Sequence, residues 1–203
     1  MSIKVYYFNK LRARVEISRL VLAAAKVDYE FVPVEGPDWP KLKATLRFEQ
    51  IPVIEIGGKK YAQGIAIQTY LARTNGLYSN DPLEALAIDE ICQLREDLLI
   101  PETKHYLEKD ETEKAKKEKD MFENVYPKFM KFFSEILKSN GTGFAVGKKL
   151  TLADIAIFEG TTTVSQLNPD LFKKYPDLVA FREKISNVPG IKEYLASNEK
   201  TRI

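Results

Sequence analysis

Three short segments carry groups able to grip a small, extended anion. Gln63-Gly64 stands where a strand pattern gives way to a helical one. The first amides of a helix are unpaired donors at the positive end of its dipole, a ready seat for a carboxylate. Trp39 and Lys43, four residues apart, offer an indole N–H and an ammonium. Gln50-Ile51-Pro52 opens a strand with a residue that has no amide to give a ladder, at a bond where a cis peptide is accessible. A cis bond there would turn the Ile51 backbone outward, free to pair with an extended peptide. Taken alone, that hairpin is better accounted for as an ordinary sheet edge.

Positioning these groups requires a particular succession of elements. Ile3, Val5 and Tyr7 alternate as in a strand, Ile17, Leu20, Val21 and Ala24 repeat as in a helix, and Tyr29 and Phe31 return to a strand. Glu35 to Pro40 reads as a loop. Val53, Ile54 and Ile56 are β-rich, Gly57-Gly58 can take the positive φ of a two-residue hairpin turn, and Lys60 to Ala62 returns. Ile65 to Arg73 is a helix. The order β-α-β-loop-β-β-α is a thioredoxin-like topology. Asn75 to Pro82 has the Gly, Asn, Ser and Pro content of a linker, which sets a first domain at 1–76 and a second at 82–203.

No strand pattern survives beyond Pro82, and apolar periodicity runs through 83–108 and 113–138. Asn140-Gly141-Thr142-Gly143 breaks the chain, and Thr151-x-x-Asp154 opens the next helix as an N-cap with an acid at N3. Both residues are structural on this reading. Lys174-Tyr175-Pro176 and Val188-Pro189-Gly190 punctuate two further short helices. The fold class is an α/β thioredoxin-like N-terminal domain followed by an all-α C-terminal domain.

Composition narrows the function. The 203 residues are 44% hydrophobic and 30% charged, ordinary for a soluble protein. No apolar run approaches the roughly 18 residues of a membrane span, and the N-terminus has no signal pattern, so a cytoplasmic address is expected. Cys92 is the single cysteine and His105 the single histidine. No intrachain disulfide, Cys-x-x-Cys redox pair or thiolate zinc site follows, and no metal is expected. Basic and acidic residues nearly cancel, 31 against 29, which gives no reason to expect nucleic acid. Residues 1–80 carry 12 Lys and Arg against 7 Asp and Glu, so the first part is the better host for an anion. The run Lys114 to Lys119 reads as a solvated helix face.

The opening Ile3 to Asn9, the segment Arg14 to Arg19, Asp38-Trp39-Pro40 with Lys43, and Gln50-Ile51-Pro52 resemble the sigma-class glutathione transferases. Ala62 to Ile67 with Tyr70-Leu71-Ala72, and Thr151-Leu152-Ala153-Asp154, extend the resemblance along essentially the whole chain. It implies the glutathione transferase architecture, a homodimer, and glutathione as co-substrate with no other cofactor. Tyr7 matches the tyrosine whose hydroxyl holds the thiolate in that family, and alternation puts Tyr6 on the opposite face. Arg14 matches an arginine near the sulfur, with Arg12 as competitor. Gln63 and Gly64 would hold the γ-glutamyl carboxylate, Trp39 and Lys43 the glycine carboxylate, and the Gln50-Ile51-Pro52 backbone the cysteinyl unit. Asp97, with Glu96 as the near alternative, would reach the γ-glutamyl amine of the neighbouring subunit's site, and Phe48 is a candidate interface contact.

This chain departs from the pattern in three places. Gly64 stands where the family usually has Ser, Glu49 replaces a usual Gly, and the loop Lys10-Leu11-Arg12-Ala13 is one residue longer and lacks a glycine. The second substrate, a small hydrophobic electrophile, would sit among that loop, Tyr106 and the C-terminal tail, although Tyr106 reads first as a packing residue. Cys92 reads as a small core residue. The expected activity is glutathione conjugation, with peroxidase or prostaglandin isomerase activity as side functions. The alternative is a non-catalytic carrier of hydrophobic ligands or a lens-type relative, which the mere 3 methionines disfavour for a crystallin.

Overall fold

The structure, a computed structural model, describes residues 2–197. They form two compact units: residues up to Tyr78 together with those from Ser186 onward, and Ser79–Ile185. The first unit is thioredoxin-like. Strands β1 (Ile3–Phe8), β2 (Glu30–Val34), β3 (Val53–Ile56) and β4 (Lys59–Ala62) form one sheet in the order β2-β1-β3-β4. β1 and β2 pair parallel, and the other two pairs are antiparallel. Pro33 is tolerated inside β2 because that strand lies at the sheet edge. Gly57 and Gly58 turn the β3–β4 hairpin at φ 58 and 78, the conformation that glycine adopts without steric cost. Helices α1 (Ala13–Ala24) and α3 (Gly64–Thr74) pack against each other.

The segment expected as a loop from Glu35 to Pro40 is instead a 3-10 turn, Gly36–Asp38, running into a short helix α2, Trp39–Lys43. Its Gly and Pro content suggests a loop, but Pro37 and Pro40 sit in first turns, where a missing amide costs nothing. Strand β3 begins at Val53, one residue after the expected Pro52.

The second unit contains α4 (Pro82–Tyr106), α5 (Glu111–Asp120), α6 (Tyr126–Asn140), α7 (Leu152–Gly160), α8 (Thr162–Leu167), α9 (Pro169–Phe172) and nearly all of α10 (Pro176–Ser186). Asp81 caps α4 by accepting from the Leu83 and Glu84 amides, and Asp110 does the same for α5. The single periodic stretch expected over 113–138 is α5 and α6 joined by a π-helical turn, Met121–Val125. Pro127, in the first turn of α6, supplies no amide to the turn before it. Gly141 ends α6 in the left-handed region at φ 66.

Helix α7 is buried along its whole length and starts at the capping box of Thr151 and Asp154. The Asp154 carboxylate accepts from the Thr151 amide at 2.7 Å, the Thr151 hydroxyl at 2.9 Å and the Ala145 amide at 2.6 Å. Replacing it with alanine strands two amides in the interior. We expect Asp154→Ala to cost about 3 kcal/mol. Urea denaturation checks this; a loss below about 1 kcal/mol would mean that water takes over both amides.

The last helix, α11 (Pro189–Ser197), clusters with the thioredoxin-like unit rather than with the preceding helices. A Cβ placed on Gly190 would lie 1.8 Å from the Ala23 carbonyl oxygen, so only glycine lets α11 press onto the end of α1.

Candidate functional site

Strand register brings distant residues into one row. Tyr6 pairs with Val53, and Val53 with Ala62, so those three lie side by side across the sheet. The next residue beyond each, at the same end, is Tyr7, Pro52 and Gln63. The carboxyl ends of β1 and β4 and the amino end of β3 therefore converge, and the start of α3 lies there too. The Ile51–Pro52 bond is cis. Gln63 sits at φ 78 and ψ 109, a conformation rare outside glycine, and gives α3 no side-chain cap. The first α3 amides thus lack a side-chain acceptor from their cap residue.

Tyr7 is buried on the core side of β1, its ring 5.8 Å from that of Phe8. Tyr6 points the other way, donating its hydroxyl to Glu55 at 2.8 Å with the Lys60 ammonium over its ring. The two tyrosines are thus separated by alternation, as expected. Arg12 and Arg14 are distinguished as well. Arg12 is buried, its Nε 3.5 Å from Glu16. Arg14 is half-buried, and a Cβ on Gly64 would stand 3.8 Å from the Arg14 Cβ and 3.6 Å from its carbonyl. Gln68 of α3 donates to that same Arg14 carbonyl at 3.2 Å. Arg14 is therefore built against the start of α3. The stretch before it holds Lys10 at φ 60 and Ala13, the first residue of α1, at φ 38, a region that favours glycine.

Trp39 is half-buried at the start of α2, and its ring meets Phe8 edge-on at 5.4 Å. Lys43 is exposed at the end of α2 with its ammonium 3.7 Å from the Glu49 carboxylate. Glu49 has φ 51, which explains why glycine suits that position. Gln50 is exposed and Ile51 half-buried. Glu49→Gly relieves a left-handed side chain at the expense of a more flexible unfolded chain, and the exposed ion pair contributes little. We expect a net gain of about 0.5–1 kcal/mol, read as a higher urea midpoint.

Asp97 and Glu96 belong to α4 in the second unit, Asp97 exposed and Glu96 half-buried. Tyr106, at the end of α4, is 55% exposed, so it is not the packing residue suggested by its helical position. Phe48 is 45% exposed. The tail beyond Ser197, invoked for the second substrate, lies outside the described residues. Cys92 is buried, and burial pushes its thiol up to about 12, as suits a small core residue. Among the described residues no group of three His, Cys, Asp or Glu is placed to hold a metal ion, and no helix is long and apolar enough to cross a membrane.

Sequence reasoning missed Glu16 and Arg19, both buried in α1. A signal was available: two opposite charges three apart, set among Val15, Ile17 and Leu20.

Residues 3–73 match the glutathione S-transferase N-terminal domain, and residues 96–198 match the glutathione S-transferase C-terminal domain. Hematopoietic prostaglandin D synthase of Gallus gallus is 36% identical over 202 residues, covering 98% of each chain. Glutathione S-transferase A1 of Bos taurus is 36% identical over 94% of this chain and 86% of its own. A monomeric glutathione S-transferase of the hookworm Necator americanus superposes with a TM-score of 0.88 at 28% identity, over the full length of both chains.

Proposed function

Because this chain belongs to the glutathione S-transferase family, we propose that it is a glutathione transferase of the sigma type, conjugating the glutathione thiolate to small hydrophobic electrophiles. The observation that carries this reading is the convergence of Tyr7, Pro52 and Gln63 at one end of the sheet, just beyond the paired Tyr6, Val53 and Ala62, with Arg14 set against the start of α3. Tyr7 donates its hydroxyl to the sulfur, and Arg14 adds positive charge nearby. A thiol of pKa about 8.5 is mostly protonated at neutral pH, so the anion must be stabilised before it can attack. Gln63 and the amides from Gly64 onward take the γ-glutamyl carboxylate. The Gln50-Ile51-Pro52 backbone takes the cysteinyl unit, and Trp39 and Lys43 the glycine carboxylate.

The working form is a cytoplasmic homodimer, with Asp97 of the partner subunit meeting the γ-glutamyl amine. Prostaglandin isomerisation is a side activity consistent with the avian relative's name. The carrier alternative is not favoured: the departure at Gly64 removes one grip, while Tyr7, Pro52 and Gln63 stay together at one end of the sheet.

A test of the site is titration of the protein with glutathione while following thiolate absorbance against pH. A bound thiol ionising well below free glutathione supports the enzyme; binding without ionisation, or none at millimolar glutathione, rejects it.

Gly64 also offers a gain-of-function test. A side chain there would make only ordinary contacts, 3.6 Å and beyond. Serine can therefore enter without displacing Arg14 or Gln68, adding a hydroxyl donor to a carboxylate. Gly64→Ser should tighten glutathione binding about 10-fold or more, the size of one hydrogen bond to a charged group. Calorimetry reads this directly, and unchanged affinity would remove the γ-glutamyl carboxylate from this position.

A further inference from the structure

Among the described residues of the first unit the least exposed charge is Glu16, 1% exposed on α1, and nothing in the proposed chemistry uses it. Three groups converge on its carboxylate. Tyr194 of α11 donates its hydroxyl at 3.0 Å, Arg12 Nε lies 3.5 Å away, and Arg19 Nη1 lies 3.5 Å away. The same Arg19 nitrogen donates to the Leu11 carbonyl at 3.1 Å, and its guanidinium rests over the Phe31 ring at 4.3 Å. One buried carboxylate thus ties together the last helix, the first helix and the loop between Tyr7 and Arg14.

That loop requires a clamp. Lys10 and Ala13 are held at positive φ, a conformation that non-glycine residues keep only when their surroundings over-determine it. The hydrogen bond on Leu11 and the ion pair on Arg12 are such constraints, and both trace to Glu16 directly or through Arg19. Arg14 follows Ala13 at once, so relaxation of the loop reaches the group beside α3.

We propose that Glu16 and Tyr194 are positioning residues for the thiol end of the site, α11 setting the loop geometry through Tyr194, Glu16 and Arg19. This rests on the glutathione reading above. A displacement of about 1 Å in a group that stabilises a reacting charge is costly, so a released loop should weaken thiol ionisation more than glutathione binding.

Tyr194→Phe removes one oxygen from the network and keeps the ring; Glu16→Gln removes the charge and keeps the shape. Both should move the bound thiol's titration upward, lower kcat at neutral pH by about 3- to 10-fold, and leave the KM for glutathione within about twofold. Amide exchange over residues 9–14 should accelerate in both. Ile191→Val, which loosens α11 without touching the carboxylate, should lower Tm and leave the titration in place.

Unmoved titration in both variants, even with faster loop exchange, reduces the network to a structural role and overturns the proposal. An equal shift in Ile191→Val overturns it too, because general loosening would then suffice. Should the wild-type protein ionise no thiol, the glutathione reading falls, and the loop clamp is judged by exchange alone: unchanged exchange in Tyr194→Phe overturns it, acceleration supports it.

Discussion

Tyr7→Phe should lose about 10- to 100-fold in kcat/KM for a small electrophile near neutral pH, the worth of a hydrogen bond to a developing anion. The sign with pH follows from which form the hydroxyl favours. It donates to the thiolate, so it holds the bound thiol's pKa below the free value, and its removal lets that pKa climb by about one to two units. The fold deficit should be full below the lowered pKa, should shrink as pH rises from the lowered to the restored pKa, and should vanish past about 8.5, where the thiol ionises unaided. Tyr6→Phe is the internal control, because its hydroxyl is committed to Glu55 on the other face of β1. A deficit of the same size at every pH would show that Tyr7 acts on something other than thiol ionisation. No deficit at all would pass the role to another donor.

The second large effect concerns stability in the helical unit. Arg95 on α4 is buried and bonded through Nε to Glu159 of α7. Its Nη1 is 3.1 Å from the Glu102 carboxylate but poorly aligned for a hydrogen bond. Tyr126 donates to the other Glu102 oxygen at 3.3 Å. A Cβ on Gly160 would lie 2.7 Å from Arg95 Cδ, so the glycine leaves the room through which the arginine runs. One guanidinium thus serves two buried carboxylates. Burial pushes the Glu102 carboxyl up, Arg95 opposes this, and Glu159 reinforces it.

Arg95→Leu would leave both acids in the interior without a cation and should destabilise the protein by about 3–5 kcal/mol. A carboxyl whose folded pKa exceeds its unfolded value costs stability as pH rises through the folded pKa. The deficit should therefore be smaller near pH 5 than near pH 8, roughly the reverse of ordinary acid denaturation. Urea midpoints at the two pH values test this, and a pH-independent loss of about 1 kcal/mol would mean water already reaches the cluster. Glu102→Gln should be nearly neutral, since it removes the less well paired of the two charges.

Local chemistry written in the sequence was legible wherever it repeats at a fixed spacing. The alternation of Val5 and Tyr7, the Gly57-Gly58 turn and the Thr151-Asp154 capping box each depend on neighbours within a few residues, and the structure contains all three. The 35–40 segment departs from the expected loop because Gly and Pro mark both loops and first helical turns, and the outcome depends on whether the following residues, here Trp39 to Lys43, continue the turn.

The thioredoxin-like order of elements and the helical character of the second half are written along the chain, and the family resemblance adds which residues match a glutathione site. Those follow from periodicities of two and 3.6 residues and from short motifs, which are properties of contiguous chain. Long-range packing is what sets Tyr7, Pro52 and Gln63 together just beyond the paired row of Tyr6, Val53 and Ala62, ties Arg12 to Glu16 while Arg14 lies against Gly64, brings Glu49 to Lys43, and returns α11 to α1 through Gly190 and Tyr194. Strand register, the partner of a buried charge and the docking of a terminal helix are set by contacts between residues far apart in the chain, and no local pattern encodes them.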